Sequence, residues 1–307
     1  MARRLRLGVA LGGGGARGFA HLGVLLTLQR HGIPVDAVAG TSLGAVMGAA
    51  QALSLDLDFF RRVLTSLDLN ALLQVSSSTV REIQRAIGRG MIEYVRGSAW
   101  KSPDRESPST ARMRELFSLL TANRSFSDTT IPFAAVAADL ETGERVVLRS
   151  GTLCDALAAS AAVPGVFPPV LCQGRYLIDG GVVDKIPADA VVDLGADAVI
   201  AVDTGAPLTR SIDTSFDALL QSERITSRHL TSLQLARESA RLDGRVVVIA
   251  PPVGWITMFA FEHIAQAVAA GERAAEQQLP AVLDLLRKRR SINRRWQSRR
   301  PPPPPSP

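Results

Sequence analysis

The sequence predicts an α/β protein in which helices cover a largely parallel sheet. Three observations favour this class: apolar residues form 46% of the chain, aromatic residues form only 5%, and short aliphatic runs alternate with helix-like segments. Parallel strands that are buried on both faces have this aliphatic composition. A chain of 307 residues can bury a large core, and we expect one main domain.

Seven runs have the length and composition of buried strands. In chain order they are RLGVAL (6–11), VDAVAG (35–40), PFAAVAAD (132–139), RVVLRS (145–150), YLID (176–179), DAVIAVD (197–203) and RVVVIA (245–250). The third and fourth are separated by the turn-like Glu-Thr-Gly at 141–143. This spacing predicts one hairpin in an otherwise parallel order.

Two long segments are predicted to be helical. Residues 54–130 contain no convincing strand and include the polar loop GSAWKSPDRESPST, so this insertion either covers a site or forms a flexible surface connection. The segment 216–242 is predicted to be a packed outer helix. Its apolar residues at helical spacing are Leu219, Leu220, Ile225, Leu230 and Leu233.

The composition argues against several classes of protein. Cys154 and Cys172 are too few for a disulfide framework, and the histidines show no ligand spacing, so we expect no metal and no cofactor. The N-terminal apolar run is about five residues long and ends in glycines, which favours a first strand over a secretory signal. No run approaches the roughly 18 apolar residues of a membrane span. We expect a cytoplasmic protein, with peripheral contact at the inner face of the membrane as an alternative.

The basic charge is concentrated at the C-terminus. Residues 287–307 hold eight of the 35 Lys and Arg and none of the 29 Asp and Glu, which leaves 27 minus 29, or −2, for residues 1–286. We expect the proline-rich tail to be disordered and either simply solvated or attracted to an anionic membrane. Nucleic acid would attract the same charges but is the less favoured partner.

A serine lies between two glycines in Gly40-Thr41-Ser42-Leu43-Gly44, where a strand-like run stops and a helix-like run begins. A sharp strand-to-helix turn leaves no room for neighbouring side chains, so glycines suit a nucleophile elbow that presents the serine hydroxyl. Because Gly-x-Ser-x-Gly also occurs by chance, its context decides. Ser42 is therefore a candidate nucleophile.

The first predicted strand is followed by GGGGARGFAHLGVLLTL, which supplies consecutive backbone N–H groups and then a helix start. Such a loop can stabilise an oxyanion. Gly13, Gly15 and Gly18 also fit the Gly-x-Gly-x-x-Gly pattern of a dinucleotide site. In that fold the second strand should end in an acidic residue, but it ends at Gly40, and Asp36 lies at its start. Dinucleotide binding is the weaker alternative, and a phosphate-binding P-loop is less favoured still because no Gly-Lys-Ser/Thr follows.

A serine nucleophile needs a base. The four histidines are His21, His31, His229 and His263. A hydrolase triad in the order Ser, Asp, His would require one of the last two, and both fall in helix-like runs, which favours surface positions on helices. A carboxylate is the alternative. Asp179 ends a strand and is followed by two glycines, but Asp139 and Asp203 also end strands, so spacing only favours Asp179.

Several blocks in order resemble the bacterial patatin-like phospholipases. They are GGGGARGFAHLGVL, AGTSLGAVMGA, PFAAVAADLETGERVVL, ASAAVPGVFPPV and LIDGGVVDKIPADAVVDLGADAVIAVD, over residues 5 to about 205, and the last helix AFEHIAQAVAAGERAAEQQL is also similar. The resemblance implies a three-layer α/β/α fold with a central, mostly parallel sheet and a serine nucleophile elbow. It also implies a serine acyl hydrolase.

The resemblance also implies roles for particular residues. Ser42 matches the nucleophile and Asp179 the base of a Ser-Asp dyad that requires no histidine. The oxyanion loop corresponds to Gly13, Gly14, Gly15, Arg17 and Gly18. The remaining motif glycines are Gly40, Gly44, Gly180 and Gly181. Residues 1–286 are expected to form the hydrolase domain, with 54–130 as a helical covering insertion.

Two local expectations follow. Many family members have asparagine before the proline after the aspartate motif, whereas this chain has Asp184-Lys185-Ile186-Pro187, and we expect a changed cap at the next helix. Trp255 is predicted to pack in the core, with contact to lipid as the alternative.

The predicted reaction is hydrolysis of lipid carboxylic esters, with phospholipids or lysophospholipids as the favoured substrates. The main rival is a regulatory or scaffolding patatin-like protein that binds a partner or a membrane with little turnover. A dinucleotide-binding protein is the third hypothesis.

Overall fold

The computed structural model describes residues 4–74, 107–213 and 215–287. The predictions for residues 75–106 of the insertion and for residues 288–307 of the basic tail lie outside the described residues.

Eight strands in the described ranges form one sheet. They are β1 (Leu7–Leu11), β2 (Ala37–Thr41), β3 (Phe133–Asp139), β4 (Arg145–Leu148), β5 (Val170–Cys172), β6 (Arg175–Asp179), β7 (Ala198–Val202) and β8 (Val246–Ile249). Their order is β5-β6-β3-β2-β1-β7-β8, and β4 also pairs with β3. Across the sheet from β3 through β2, β1 and β7 to β8, each strand is parallel to its neighbour. Strands β4 and β6 are antiparallel to β3. The seven predicted strands and the β3–β4 hairpin are confirmed. The prediction misses β5, whose three residues are too few for a recognisable run. It is also wrong in expecting the rest of the order to be parallel, because β6 is antiparallel to both β3 and β5.

Helices lie between the strands. In the described ranges they are α1 (Ala20–Arg30), α2 (Leu43–Ala52), α3 (Leu57–Ser66), α4 (Leu69–Leu73), α5 (Pro108–Leu120), α6 (Leu153–Ser160), α7 (Ala188–Asp193), α8 (Ser215–Arg241) and α9 (Ile264–Arg287). Local sequence explains the starts of α3 and α5. Asp56 accepts a hydrogen bond from the Phe59 amide at 2.9 Å, and Ser107 accepts one from the Thr110 amide at 3.1 Å, just before Pro108.

The sheet has a core on each face because side chains alternate along every strand. Val9 and Leu11 of β1 pack in the larger core with α1, α2 and α9. Ala10 of β1 and Ala39 of β2 face the smaller core, which contains Val191 of α7. The observed architecture is therefore the predicted three-layer α/β/α arrangement around a mostly parallel sheet. Among the helices of the described residues, none is both long and apolar enough to cross a membrane.

The outer helix α8 confirms the predicted span but not the predicted packing. Leu219, Ile225 and Leu233 are exposed, whereas Ser227 and Thr231 are buried. The helix packs against α7 and β8 through the face that carries these small hydroxyl side chains. The apolar periodicity therefore predicts the helix correctly but does not predict which of its faces is buried.

Candidate active site

The strand registers bring three loops to one edge of the sheet. The parallel strands β1, β2 and β7 end at this edge and are followed by the glycine loop (Gly12–Gly15), by Ser42 and by Thr204. β2 places Thr41 opposite Val136 of β3, and antiparallel β6 places Asp179 opposite Ala137. Because Val136 and Ala137 are consecutive, the ends of β2 and β6 lie at the same level on the two sides of β3.

Ser42 forms a strained turn between β2 and α2. Its φ of 56° lies in the left-handed region, which a residue with a Cβ adopts at an energetic cost. The Ser160 hydroxyl accepts a hydrogen bond from the Ser42 amide at 2.9 Å and donates to the Val136 carbonyl at 2.6 Å. A Cβ added at Gly44 would lie 2.2 Å from the Leu11 carbonyl oxygen, so only glycine allows this approach of α2 to β1. The observed geometry is that of a nucleophile elbow.

The Ser42 hydroxyl lies close enough to the Asp179 carboxylate to lower the pKa of that carboxylate, and both side chains are buried. The Gly181 amide donates to Asp179 Oδ1 at 2.7 Å, which fixes the carboxylate. Burial raises the pKa of Asp179 to about 6, against the opposing effects of the Ser42 hydroxyl, the Gly181 amide and the Lys185 charge. Asp179 is thus ionised at neutral pH and much more basic than an exposed aspartate.

The other two strand-end aspartates have different partners. Asp139 accepts the amides of Glu141 and Thr142 in the β3–β4 turn. Asp203 accepts the Gly205 amide at 2.8 Å. Their backbone partners show that these two carboxylates shape turns, whereas Asp179 contacts Ser42.

The glycine loop lies against Ser42, since a Cβ added at Gly13 would be 3.5 Å from Ser42 Cβ. The Gly13 amide donates to the Lys185 carbonyl at 2.9 Å, and the Ala16 amide donates to the Met258 carbonyl at 2.8 Å. Between them, the amides of Gly14 and Gly15 donate to no acceptor in the part of the chain that the structure describes. Two N–H groups of the loop are therefore left without an acceptor in the described residues, directly after Gly13, which lies against Ser42.

Arg17 and His21 are buried next to the glycine loop and form hydrogen bonds with backbone carbonyls there. Arg17 is 6% exposed, and its guanidinium donates to the carbonyls of Thr204 and Ile256 at 3.1 and 2.9 Å. Burial lowers the pKa of Arg17 to about 10 and that of His21 to about 4. His21 is therefore a neutral imidazole at pH 7, and its Nε2 lies 2.6 Å from the Gly12 carbonyl oxygen as the donor. The position of Gly18 is equally tight, because a Cβ there would lie 3.0 Å from Leu43 Cβ.

The other three histidines have surroundings unlike those of a general base. His31 contacts Glu276 at 3.0 Å on the surface, and His229 is exposed on α8. His263 packs edge-on against Trp255, with 4.9 Å between ring centroids.

An apolar cleft opens above Ser42, with about 640 Å³ of empty space, its open mouth included. The insertion contributes much of its wall through α3, α4 and α5, which supports the prediction that this segment covers a site. The lining side chains from these helices are Leu64, Leu69, Leu73, Met113, Leu116, Phe117 and Leu120. Phe167, Met258, Phe259 and Phe261 complete the opposite wall.

One local expectation needs correction. Trp255 is not a core residue, since it is 56% exposed. Its ring packs edge-on against His263. At the start of α7, Pro187 precedes the helix without a side-chain cap, and the Asp184 carboxylate pairs with Arg145 at 2.6 Å.

Three residues of the site were not among the predicted ones. The Ser160 hydroxyl accepts the Ser42 amide of the elbow, and the Lys185 carbonyl accepts the Gly13 amide of the glycine loop. The Thr204 carbonyl accepts a hydrogen bond from the Arg17 guanidinium. Ser160 and Lys185 lie inside sequence blocks that carry the family resemblance, which is the only signal for them. Thr204 directly follows a predicted strand that ends at the same edge as Ser42.

Residues 9–192 match the sequence profile of the patatin-like phospholipases, which is more than half of the chain. The chain belongs to the patatin-like phospholipase family.

Curated relatives extend the likeness. An NTE family protein of Mycobacterium tuberculosis is 32% identical over 197 residues, which cover 64% of this chain and 48% of the relative. A second one from the same organism is 29% identical over 313 aligned positions, covering 94% and 49%. The lysophospholipase NTE1 of Mycosarcoma maydis is 30% identical over 67% of this chain and 10% of its own length. The chain thus spans about half the length of the mycobacterial relatives.

Solved structures are similar at lower identity. VipD from Legionella pneumophila has a TM-score of 0.46 and 17% identity, with 91% of this chain and 67% of VipD covered. Human GIVD cytosolic phospholipase A2 has a TM-score of 0.49 and 12% identity, with coverage of 92% and 60%.

Proposed function

We propose that this protein hydrolyses carboxylic esters of lipids through an acyl-serine intermediate, with Ser42 as nucleophile and Asp179 as the general base. The observation that carries the proposal is the juxtaposition of the buried Ser42 hydroxyl and the buried Asp179 carboxylate at an apolar cleft. Membership of the patatin-like phospholipase family and the likeness to a protein named as a lysophospholipase support the lipid class of substrate.

In the first half-reaction, Ser42 Oγ attacks the ester carbonyl while Asp179 takes the hydroxyl proton. A base is most effective when its pKa lies near the working pH, and burial moves the pKa of Asp179 from 3.8 to about 6. The proton then passes from Asp179 to the departing alkoxide, which leaves as an alcohol. The acyl group remains on Ser42.

In the second half-reaction, water attacks the acyl-serine while Asp179 accepts the proton of the water. Collapse of the tetrahedral intermediate releases the fatty acid and returns the proton to Ser42. No histidine enters the cycle.

The oxyanion of both tetrahedral intermediates is assigned to the amides of Gly14 and Gly15. Their place directly after Gly13, which lies against Ser42, and their lack of an acceptor in the described chain support this role. Preorganised backbone donors stabilise charge as it develops, and the loss of one such donor in other hydrolases costs roughly 3 to 4 kcal/mol. Arg17 contributes by holding the loop, since its guanidinium is bonded to two carbonyls and faces away from the serine.

The cleft suits the acyl chain of the substrate. Its wall is formed by Leu, Met and Phe side chains, so it offers no hydrogen-bonding partner for a head group and buries apolar surface favourably. We therefore place the acyl chain in the cleft and the head group at its mouth. We also propose residues 1–286 as the hydrolase domain, with the insertion as its cover and residues 287–307 as a separate basic tail.

The test is product analysis with the purified full chain. Phospholipids, lysophospholipids and a soluble short-chain ester are incubated with wild type and with the Ser42→Ala variant, and released fatty acid is measured. Release by wild type alone supports the proposal, and a fluorophosphonate label on Ser42 would identify the nucleophile. A folded wild type that releases no fatty acid and is not labelled would instead favour a scaffolding role.

A further inference from the structure

The segment that follows the proposed base touches all three parts of the proposed site. This anchor segment (Gly180–Lys185) starts directly after Asp179. The Thr41 hydroxyl, one residue before Ser42, donates to the Asp184 carbonyl at 2.9 Å. The Gly13 amide of the glycine loop donates to the next carbonyl, that of Lys185, at 2.9 Å. A shift of the anchor segment would therefore displace the elbow and the glycine loop together.

One ion pair holds the anchor segment from the side. The Asp184 carboxylate is 1% exposed, and Arg145 Nη1 lies 2.6 Å from it. The same nitrogen lies 2.5 Å from the Asp189 carboxylate, so Arg145 joins the anchor segment to the first turn of α7. Arg145 itself is fixed on β4, opposite Ala138 of β3. The guanidinium thus bridges two carboxylates from a rigid strand.

The Asp184 carboxylate depends on this partner. Burial, Asp189 and Glu238 of α8 all raise the pKa of Asp184, and Arg145 opposes them. A buried carboxylate that loses such a cation is strongly destabilised and moves toward water or takes up a proton. A movement toward water would displace the Asp184 backbone carbonyl, which accepts the Thr41 hydroxyl.

We propose that Arg145 is a positioning residue for the hydrolase, which fixes the elbow and the glycine loop by pairing with Asp184. Arg145 contacts neither Ser42 nor Asp179 and acts through the anchor segment. The proposal rests on the proposed function for its kinetic readout only. A misplacement of about 1 Å at a reacting group can cost on the order of 100-fold in rate.

The kinetic test compares Arg145→Met with a double variant that also carries Asp184→Asn. Arg145→Met leaves the carboxylate unpaired and should lower kcat at least tenfold, with KM within threefold of wild type. The double variant removes both charges, and the neutral amide that replaces the carboxylate needs no cation, so kcat should return to within threefold of wild type. A folded Arg145→Met variant with the wild-type kcat, or a double variant no better than the single one, overturns the proposal.

The matched control is Arg4→Met. Arg4 pairs with Asp36 at 2.6 Å, at the opposite edge of the sheet, and its loss should leave kcat unchanged. A loss equal to that of Arg145→Met would show a general effect of lost ion pairs and would overturn the specific role. If Arg145→Met does not fold, Arg145→Gln serves instead, because it removes the cation that faces Asp184 while keeping a polar side chain; an unchanged kcat in that variant overturns the proposal.

Hydrogen exchange provides a readout that does not depend on activity. The Gly13 amide is bonded to the anchor segment, so a peptide that contains it should exchange faster in Arg145→Met and recover in the double variant, while α1 remains unchanged. If the variants show this exchange pattern but the wild type hydrolyses no ester, the proposed function is refuted and the positioning role is supported. Unchanged exchange at Gly13 would refute the positioning role even in an active enzyme.

Discussion

Asp179→Asn is expected to stabilise the fold, by an amount that increases with pH. The carboxylate is buried and its pKa rises from 3.8 to about 6, so ionisation is less favourable in the folded chain than in the unfolded chain. Between about pH 4 and pH 6 the folded state therefore binds more protons than the unfolded state, and wild type loses stability as pH rises through this window. Asn cannot titrate, and it keeps an oxygen that can accept from the Gly181 amide.

The size of the effect follows from the pKa shift. A shift from 3.8 to about 6 corresponds to about 3 kcal/mol at about 1.36 kcal/mol per unit. The variant should therefore exceed wild type by about 3 kcal/mol at pH 8, where the contribution is complete, and by about half as much at pH 5, where Asp179 is mostly protonated in the folded state. Asp184 titrates in both proteins, so its contribution cancels in the difference.

Urea unfolding at pH 5 and pH 8 measures both free energies, with equal m-values as the check that the unfolded states match. Asp203→Asn is the control, because that aspartate also ends a strand and accepts a backbone amide but does not contact Ser42. A difference between Asp179→Asn and wild type that does not change with pH would refute the burial argument. So would a less stable variant.

Three further predictions concern activity and binding. Ser42→Ala should abolish ester hydrolysis while His229→Ala, on an exposed helix face, changes it little; a folded but inactive His229→Ala would contradict a Ser-Asp dyad. Gly14→Ala should lower kcat far more than it raises KM, because the new Cβ would lie 2.5 Å from Thr204 Oγ1 and push the loop from the oxyanion; near-normal turnover would remove the loop from the mechanism. Full-length protein should co-sediment with anionic but not with neutral vesicles, and less of it should bind in high salt. A chain ending at Leu286 should not bind the vesicles but should hydrolyse a soluble ester as fast as the full-length protein. Equal binding by both chains would refute a role for the tail.

The sequence predicts much of the fold because the buried strands are short aliphatic runs with clear ends. The elbow is equally visible, since Gly40 and Gly44 flank Ser42 in the chain itself. The choice among Asp139, Asp179 and Asp203 is different. It depends on the register of antiparallel β6 against β3, which sets Asp179 level with the end of β2 on the other side of β3, and no local pattern encodes that register.

Long-range charge pairs are also beyond local patterns. Arg145 and Asp184 are 39 positions apart, and nothing near either one indicates that they meet. An acidic residue shortly before a helix can cap it, but the Asp184 carboxylate pairs with the cation on β4. The exposed leucines of α8 show the same limit, because the sequence gives the period of a helix and tertiary packing chooses its buried face.

The same physical feature makes Asp179 costly for stability and useful for the proposed chemistry. Removing the carboxylate from water weakens its solvation and thereby raises its affinity for the Ser42 proton. Each unit by which the pKa rises costs the folded state about 1.36 kcal/mol of stability at a pH where Asp179 is ionised. The left-handed Ser42 and the close glycine contacts carry similar costs at the same edge of the sheet. If the site is under this compromise, Asp179→Asn should be more stable than wild type and inactive at every pH. A variant that is inactive but no more stable would show that Asp179 is held by its partners at no net cost.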